Sequence, residues 1–138
     1  MYARVLDLLI VFDEQHIRDM METGFAFEHV EQFNPTTVAQ REKYFAGLID
    51  MAKNRPDKIQ FRFLKSGAIQ YPFVYGSHRL LYINYADTPY FEGFSIMLRE
   101  KSVLKIMDDF AIYAWNNFTL SDKESINKME KMKSMYIK

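Results

Sequence analysis

A chain of 138 residues, 49% of them hydrophobic, with 18 basic against 18 acidic side chains, has the size and composition of one globular domain with its own core, which argues against disorder. It contains no cysteine, which excludes a disulfide scaffold, thiolate zinc sites and thiol catalysis together. The charge divides into −4 over residues 1–57, +2 over 58–120 and +2 over 121–138, so the dense basic stripe that a phosphate backbone requires is missing and direct nucleic-acid binding by this chain is not expected.

Residues 5–12 are short, apolar but for Asp7 and rich in branched side chains, which predicts a buried strand, although Val5, Leu6 and Leu9 also share a helical face. The segment follows Met1-Tyr2-Ala3-Arg4, shows no small-residue cleavage site and is too short to span a bilayer. No signal peptide or transmembrane helix is read, and a cytoplasmic location without membrane contact is expected. Asp13 can cap a helix over 14–22, with acids in its first turn, and Gly24 stands where a helix terminator belongs. Residues 25–33 mix Phe25, Phe27, Val30 and Phe33 with Glu28, His29 and Glu31, and read as a strand or as a loop over the core. Asn34-Pro35 signals a turn. Thr37 and Gln40 have capping-box spacing and open a helix with Val38, Phe45, Leu48, Ile49 and Ala52 on one face. It should end near Asn54, before Arg55-Pro56.

From Lys58 the period becomes two. Ile59, Phe61 and Phe63 alternate with Gln60 and Arg62, a strand pattern that stops at the Ser66-Gly67 turn. Residues 69–75 predict a second strand of this block, with Pro72 marking an edge or bulge. Gly76-Ser77 suits a two-residue hairpin turn into a strand over 78–85. Asp87-Thr88-Pro89 breaks that strand, and 91–99 forms the next. A helix then opens at Glu100 or Ser102, with Val103, Ile106, Met107, Phe110, Tyr113 and Ala114 along one side, and closes near Asn116-Asn117. Ser121 and Glu124 form a second capping box ahead of a polar helix with a narrow stripe, Ile126, Met129, Met132 and Tyr136. This order predicts an α+β fold: a mostly antiparallel central sheet of about five strands, flanked by helices on one face or at its ends. The expected division is one domain over 1–120 and a C-terminal helical tail over 121–138.

The chemistry-bearing residues are sparse. The three histidines, His16, His29 and His78, lack partners at metal-motif spacing, so neither metal nor cofactor is expected. No phosphate loop, zincin or nucleophile-elbow motif is present, and five glycines leave little material for one. Asp108-Asp109 lie on a helix whose apolar face is already assigned and read as solvated. The most suggestive stretch is Tyr75-Gly76-Ser77-His78-Arg79 followed by Tyr82, Asn84 and Asp87. A turn there presents His and Arg, and a strand returns with Tyr and Asn. Arg79 can fork onto a carboxylate or phosphate; the plainer reading is an ordinary hairpin with cross-strand aromatic packing. The tail stripe Ile126, Met129, Met132 and Tyr136 is a homodimer seam, the face by which that helix docks on its own sheet, or part of a frayed terminus.

Residues 58–115 resemble the C-terminal effector domains of some bacterial helix-turn-helix transcriptional regulators, whose layout is similar to a degenerate phospholipase-D-like half. The resemblance rests on Ile59-Gln60-Phe61-Arg62-Phe63, on Gly76-Ser77-His78-Arg79-Leu80-Leu81-Tyr82-Ile83, on the strand at 94–98 and on the closing helix with Phe110 and Trp115. Active members carry H-x-K-x-x-x-x-D twice. Here Leu80 stands in the Lys place, Tyr85 in the Asp place, and Asp87 falls two residues late. The resemblance therefore implies a non-catalytic sensor or oligomerisation role in a cytoplasmic regulator, with the DNA reader elsewhere. A homodimer and a small-molecule ligand are the partners it suggests. The alternatives are a small phosphodiesterase-like hydrolase centred on His78, Arg79 and Asp87, and an adaptor that binds another protein through the Met and Tyr stripe.

Overall fold

The segment Leu-Leu-Ile-Val-Phe is apolar at every position, as a strand covered on both faces must be. In the computed structural model it forms β1, Leu8–Phe12. The structure describes residues 8–24, 36–68, 72–76, 80–84, 93–97 and 100–138, with 80–84 and 93–97 as backbone only. After β1 come helix α1, Glu14–Thr23, and helix α2, Val38–Asn54. Strands β2, Ile59–Phe63, β3, Phe73–Gly76, β4, Leu80–Asn84, and β5, Gly93–Met97, precede helices α3, Lys101–Asn117, and α4, Asp122–Tyr136.

The helices begin and end where local chemistry dictates. Thr37 and Gln40 exchange both bonds of a capping box at the start of α2, the Gln40 N–H donating to Thr37 Oγ1 at 3.2 Å. Ser121 Oγ accepts from the Glu124 N–H at 3.1 Å at the start of α4. Gly24 ends α1 with φ 86° and ψ 176°, a conformation close to glycine-only territory. A Cβ there would also meet Thr36 Oγ1 at 2.8 Å and the Arg41 guanidinium at 2.9 Å.

The α+β class is as expected, but the sheet is mixed, in the order β2-β1-β3-β4-β5. β1 pairs parallel to β2 and antiparallel to β3; β3–β4 and β4–β5 are antiparallel. What the sequence did not anticipate is the parallel pair: β1 lies between β2 and β3, so β2 is not antiparallel to β3 and the sheet is mixed. The physical reason is the two-helix connection. A parallel pair needs a crossover, and α1 and α2 supply it. Gly76 is still strand, paired with Leu8, so the expected two-residue turn at Gly76-Ser77 is also corrected: the β3–β4 connection is residues 77–79. The predicted strand over 69–75 is described from residue 72 on, and the segment 25–35 lies outside the described residues.

Helices cover both faces of the sheet, not one face or its ends. On the first face Ile10, Phe61 and Phe63 meet α1 through Ile17, Met20 and Met21, α2 through Phe45, Ile49 and Ala52, and α4 through Met129 and Met132. On the second face Leu9, Val11, Phe73 and Tyr75 meet α3 through Met107, Ala111, Ala114 and Trp115, the one helix on that face among the described residues. The strict alternation of Leu9, Ile10 and Val11 between the two clusters is the pleat at work.

The C-terminal segment expected over 121–138 forms a helix that packs on the first face. Met129 is wholly buried and Met132 nearly so, each contributing about 1.5–3 kcal/mol by transfer from water. Ile126 and Tyr136 pack against the same cluster. Buried Ser125 accepts a bond from the Phe63 N–H at 3.1 Å, satisfying a donor on the outer edge of β2. Beside it the α3–α4 connection runs along the end of β2, with the Leu120 N–H donating to Phe63 O and the Lys65 N–H to Phe118 O, both at 2.8 Å. Ion pairs from Lys128 to Glu14 and from Lys133 to Glu42 fix the lie of α4 on α1 and α2; being partly exposed, they contribute little stability.

Candidate functional site

Tyr75 is the one residue of the predicted hairpin site whose side chain is described. β3 carries it onto the second face, where it is buried and its hydroxyl donates to the Asp108 carboxylate of α3. Asp108 is thus not the solvated acid expected from the helix pattern; it is half-buried and joins α3 to β3. Tyr82 is the register partner of Val74, whereas Tyr75 is paired with Leu81, so the two tyrosines occupy alternate positions of the hairpin and not facing ones. Asn84 pairs with Gly93 at the far end of β4. His78, Arg79 and Asp87 lie outside the described residues.

The second predicted patch is spent on the fold. Met129 and Met132 are core residues of the first face, and Ile126 and Tyr136 are packed beside them. This is the internal docking that the sequence left open as the alternative to a seam. Arg18 lies over the Tyr136 ring at 4.7 Å, closing that end of the stripe. The grooves along α4, lined by Glu14, Lys128, Met132 and Tyr136 on one side and Asp50, Lys53 and Lys133 on the other, are open to solvent.

What the sequence did not single out is the outer side of α3. Its inner side is set by two contacts. Trp115 lies under the Arg62 guanidinium of β2 at 4.3 Å, and Phe110 touches Phe73 of β3 with ring centroids 5.6 Å apart. Arg62 also holds Asp122 at 2.6 Å and donates to Trp115 O at 3.1 Å, so the helix is pinned at its C-terminal end. The small residues Ala111 and Ala114 let that half sit close on the strands.

This orientation turns Ile106 and Tyr113 outward and leaves Phe110 at the edge, touching Phe73 on one side and solvent on the other. Ile106 is 66% exposed, Tyr113 60% and Phe110 36%. Their spacing of four and three places them in one row along the helix. Ile106 and Tyr113 were expected in the core; their position is a correction, and its reason is angular. At about 100° per residue, Ile106 and Trp115 lie on opposite sides of α3 and cannot both face one sheet. That over-wide apolar arc was the signal available in the sequence. Around the row, Lys105 and Asp109 pair at 3.0 Å in solvent, and the last turn carries Asn116 and Asn117 but no basic residue.

Among the described residues no three His, Asp or Glu side chains come together in a way that could hold a metal ion, and no helix is long and apolar enough to cross a membrane. Compared with protein-family models, with curated proteins and with solved structures, the chain matches none.

Proposed function

We propose that the chain is a non-catalytic effector and dimerisation domain of a bacterial transcriptional regulator, acting by contact and not by chemistry. The observation that carries this reading is the exposed row Ile106, Phe110 and Tyr113 on α3. A contiguous apolar row on a surface helix is costly in water unless something covers it, and such patches mark interaction sites. The role that the sequence assigned to the α4 stripe passes to α3, because the α4 residues already serve the core. Zero net formal charge favours self-association over repulsion between copies.

The test is mass against concentration by light scattering, for the wild type and for Ile106→Glu with Tyr113→Glu. The wild type is expected to move from monomer to dimer through the micromolar range. The double variant is expected to stay monomeric, with an unchanged circular dichroism spectrum. A wild type that remains monomeric at several hundred micromolar would overturn the proposal.

A further inference from the structure

We infer that the N-terminal end of α2 binds a small oxyanion, the phosphate or carboxylate group of a ligand, through Arg41. The site is independent of the dimerisation surface on α3. Arg41 closes the first turn of α2 and keeps only 8% of its surface exposed. A guanidinium stays charged at every ordinary pH, and burying one is costly unless a carboxylate or phosphate pairs with it. Here Nη1 donates to the Thr36 carbonyl oxygen, while the buried Nε has no acceptor among the described residues. No carboxylate among the described residues lies within ion-pair reach of Arg41. The acids close to this corner in the chain are engaged elsewhere. Glu42, next to Arg41, pairs with Lys133 at 3.7 Å, and Glu22, two residues before Gly24, pairs with Arg18 at 2.8 Å. The Gln40 side chain accepts from the Thr37 N–H at 2.8 Å.

The helix itself adds to the same imbalance. α2 has no acid in its first turn, so the positive end of its dipole stands uncompensated, and the Arg41 cation is placed beside it. An anion there would balance both charges at once, which is the general basis of phosphate binding at helix N-termini. Gly24 keeps the corner open. A Cβ at that position would lie 2.8 Å from Thr36 Oγ1 and 2.9 Å from Arg41 Nη1, so any larger residue would press on the hydroxyl and the guanidinium together. A buried cation with an unbonded N–H, at a helix end of like sign, favours an anion over a neutral or cationic ligand.

The test is thermal unfolding of the whole chain in sodium phosphate, sodium acetate and sodium chloride at matched ionic strength. In parallel, the Arg41 Nε–H resonance is followed by NMR in isotope-labelled protein. Phosphate or acetate is expected to raise the midpoint saturably, by about 5–10 °C at a hundredfold excess over Kd, and to move the resonance with the same Kd. Chloride is expected to do neither. Arg41→Met, which keeps the apolar stem and removes the charge, is expected to lose the thermal response. A response to phosphate alone assigns a phosphoryl ligand, a response to acetate alone a carboxylate, and a response to both the oxyanion they share. Should Arg41→Met fail to fold, the wild-type resonance decides by itself. Equal stabilisation of Arg41→Met and wild type by phosphate would mean exclusion of the salt from the protein surface, and would overturn the site. An Arg41 resonance unmoved by tens of millimolar of either anion would overturn it as well.

Discussion

The two faces of the sheet are built on different plans. The first face is closed by three helices, and the methionines of α1 and α4 fill the gaps among Phe45, Phe61 and Phe63. Among the described residues the second has one helix, held by a tryptophan, two alanines, a methionine and a tyrosine–aspartate bond. A helix is about 10 Å across, while five strands span roughly 20 Å, so one helix cannot cover what three cover. Apolar side chains reach solvent on both sides, Val38, Tyr44 and Met51 on α2 and Met135 on α4 as well as Ile106, Phe110 and Tyr113 on α3; those of α3 fall in one row at spacings of four and three.

The comparison can be broken most severely from the closed face. Deleting residues 121–138 would strip Met129, Met132 and Ser125 from Phe61, Phe63 and the β2 edge. The expected result is loss of the cooperative thermal transition, read by circular dichroism. A truncated chain that still melts cooperatively near the wild-type temperature would contradict the account of α4 as core. Phe45→Ala, at a site with no exposure, should cost about 3–5 kcal/mol in a denaturant titration.

Gly24→Ala combines a strained positive φ with close contacts to Thr36 and Arg41, and should cost more than about 1 kcal/mol. On the second face, Trp115→Phe is expected to be milder than a core truncation. The buried Trp115 Nε1–H has no hydrogen-bond partner among the described residues, so removing it relieves about 1–3 kcal/mol of desolvation against the volume lost. Ile106→Glu and Tyr113→Glu should change stability by less than about 0.5 kcal/mol while abolishing association. That split between fold and contact is the sharpest expression of the two-face design.

The smallest effect concerns pH. Partial burial of the ring raises the Tyr44 pKa above its ordinary value of 10.0. Its protonated form is the one the folded state favours, so the stabilisation is complete below the unfolded pKa and is lost as pH rises through the folded one. Stability should therefore fall above about pH 10, and Tyr44→Phe should flatten that decline. Absorbance titration near 295 nm, with Tyr44 ionising later than exposed tyrosines, checks the same point.

Much of the local structure was legible in the sequence. The capping box at Thr37, the Ser121 cap and the terminator at Gly24 appear where their chemistry places them, because a cap is a matter of three or four neighbouring residues; of the box expected at Ser121 the serine half forms, and the Glu124 carboxylate accepts from the Ser121 hydroxyl. The alternation in Ile59–Phe63 also survives, because pleating is local. The candidate site was far less legible. Tyr75 was singled out for a ligand, yet its hydroxyl is bonded to Asp108, thirty-three residues away, and no pattern around either residue announces that partnership.

Helix, cap and strand were thus determined by the sequence itself, since each is decided within a turn or a pleat. Only the tertiary structure decided that β1 slips between β2 and β3, since strand order depends on how the two-helix crossover packs. It also decided the fate of the two apolar helical rows. The α4 row has Phe61, Phe63 and the α1 methionines to cover it, and becomes core. The α3 row has the sheet on one side only, already occupied by Ala111, Ala114 and Trp115, and is left facing water.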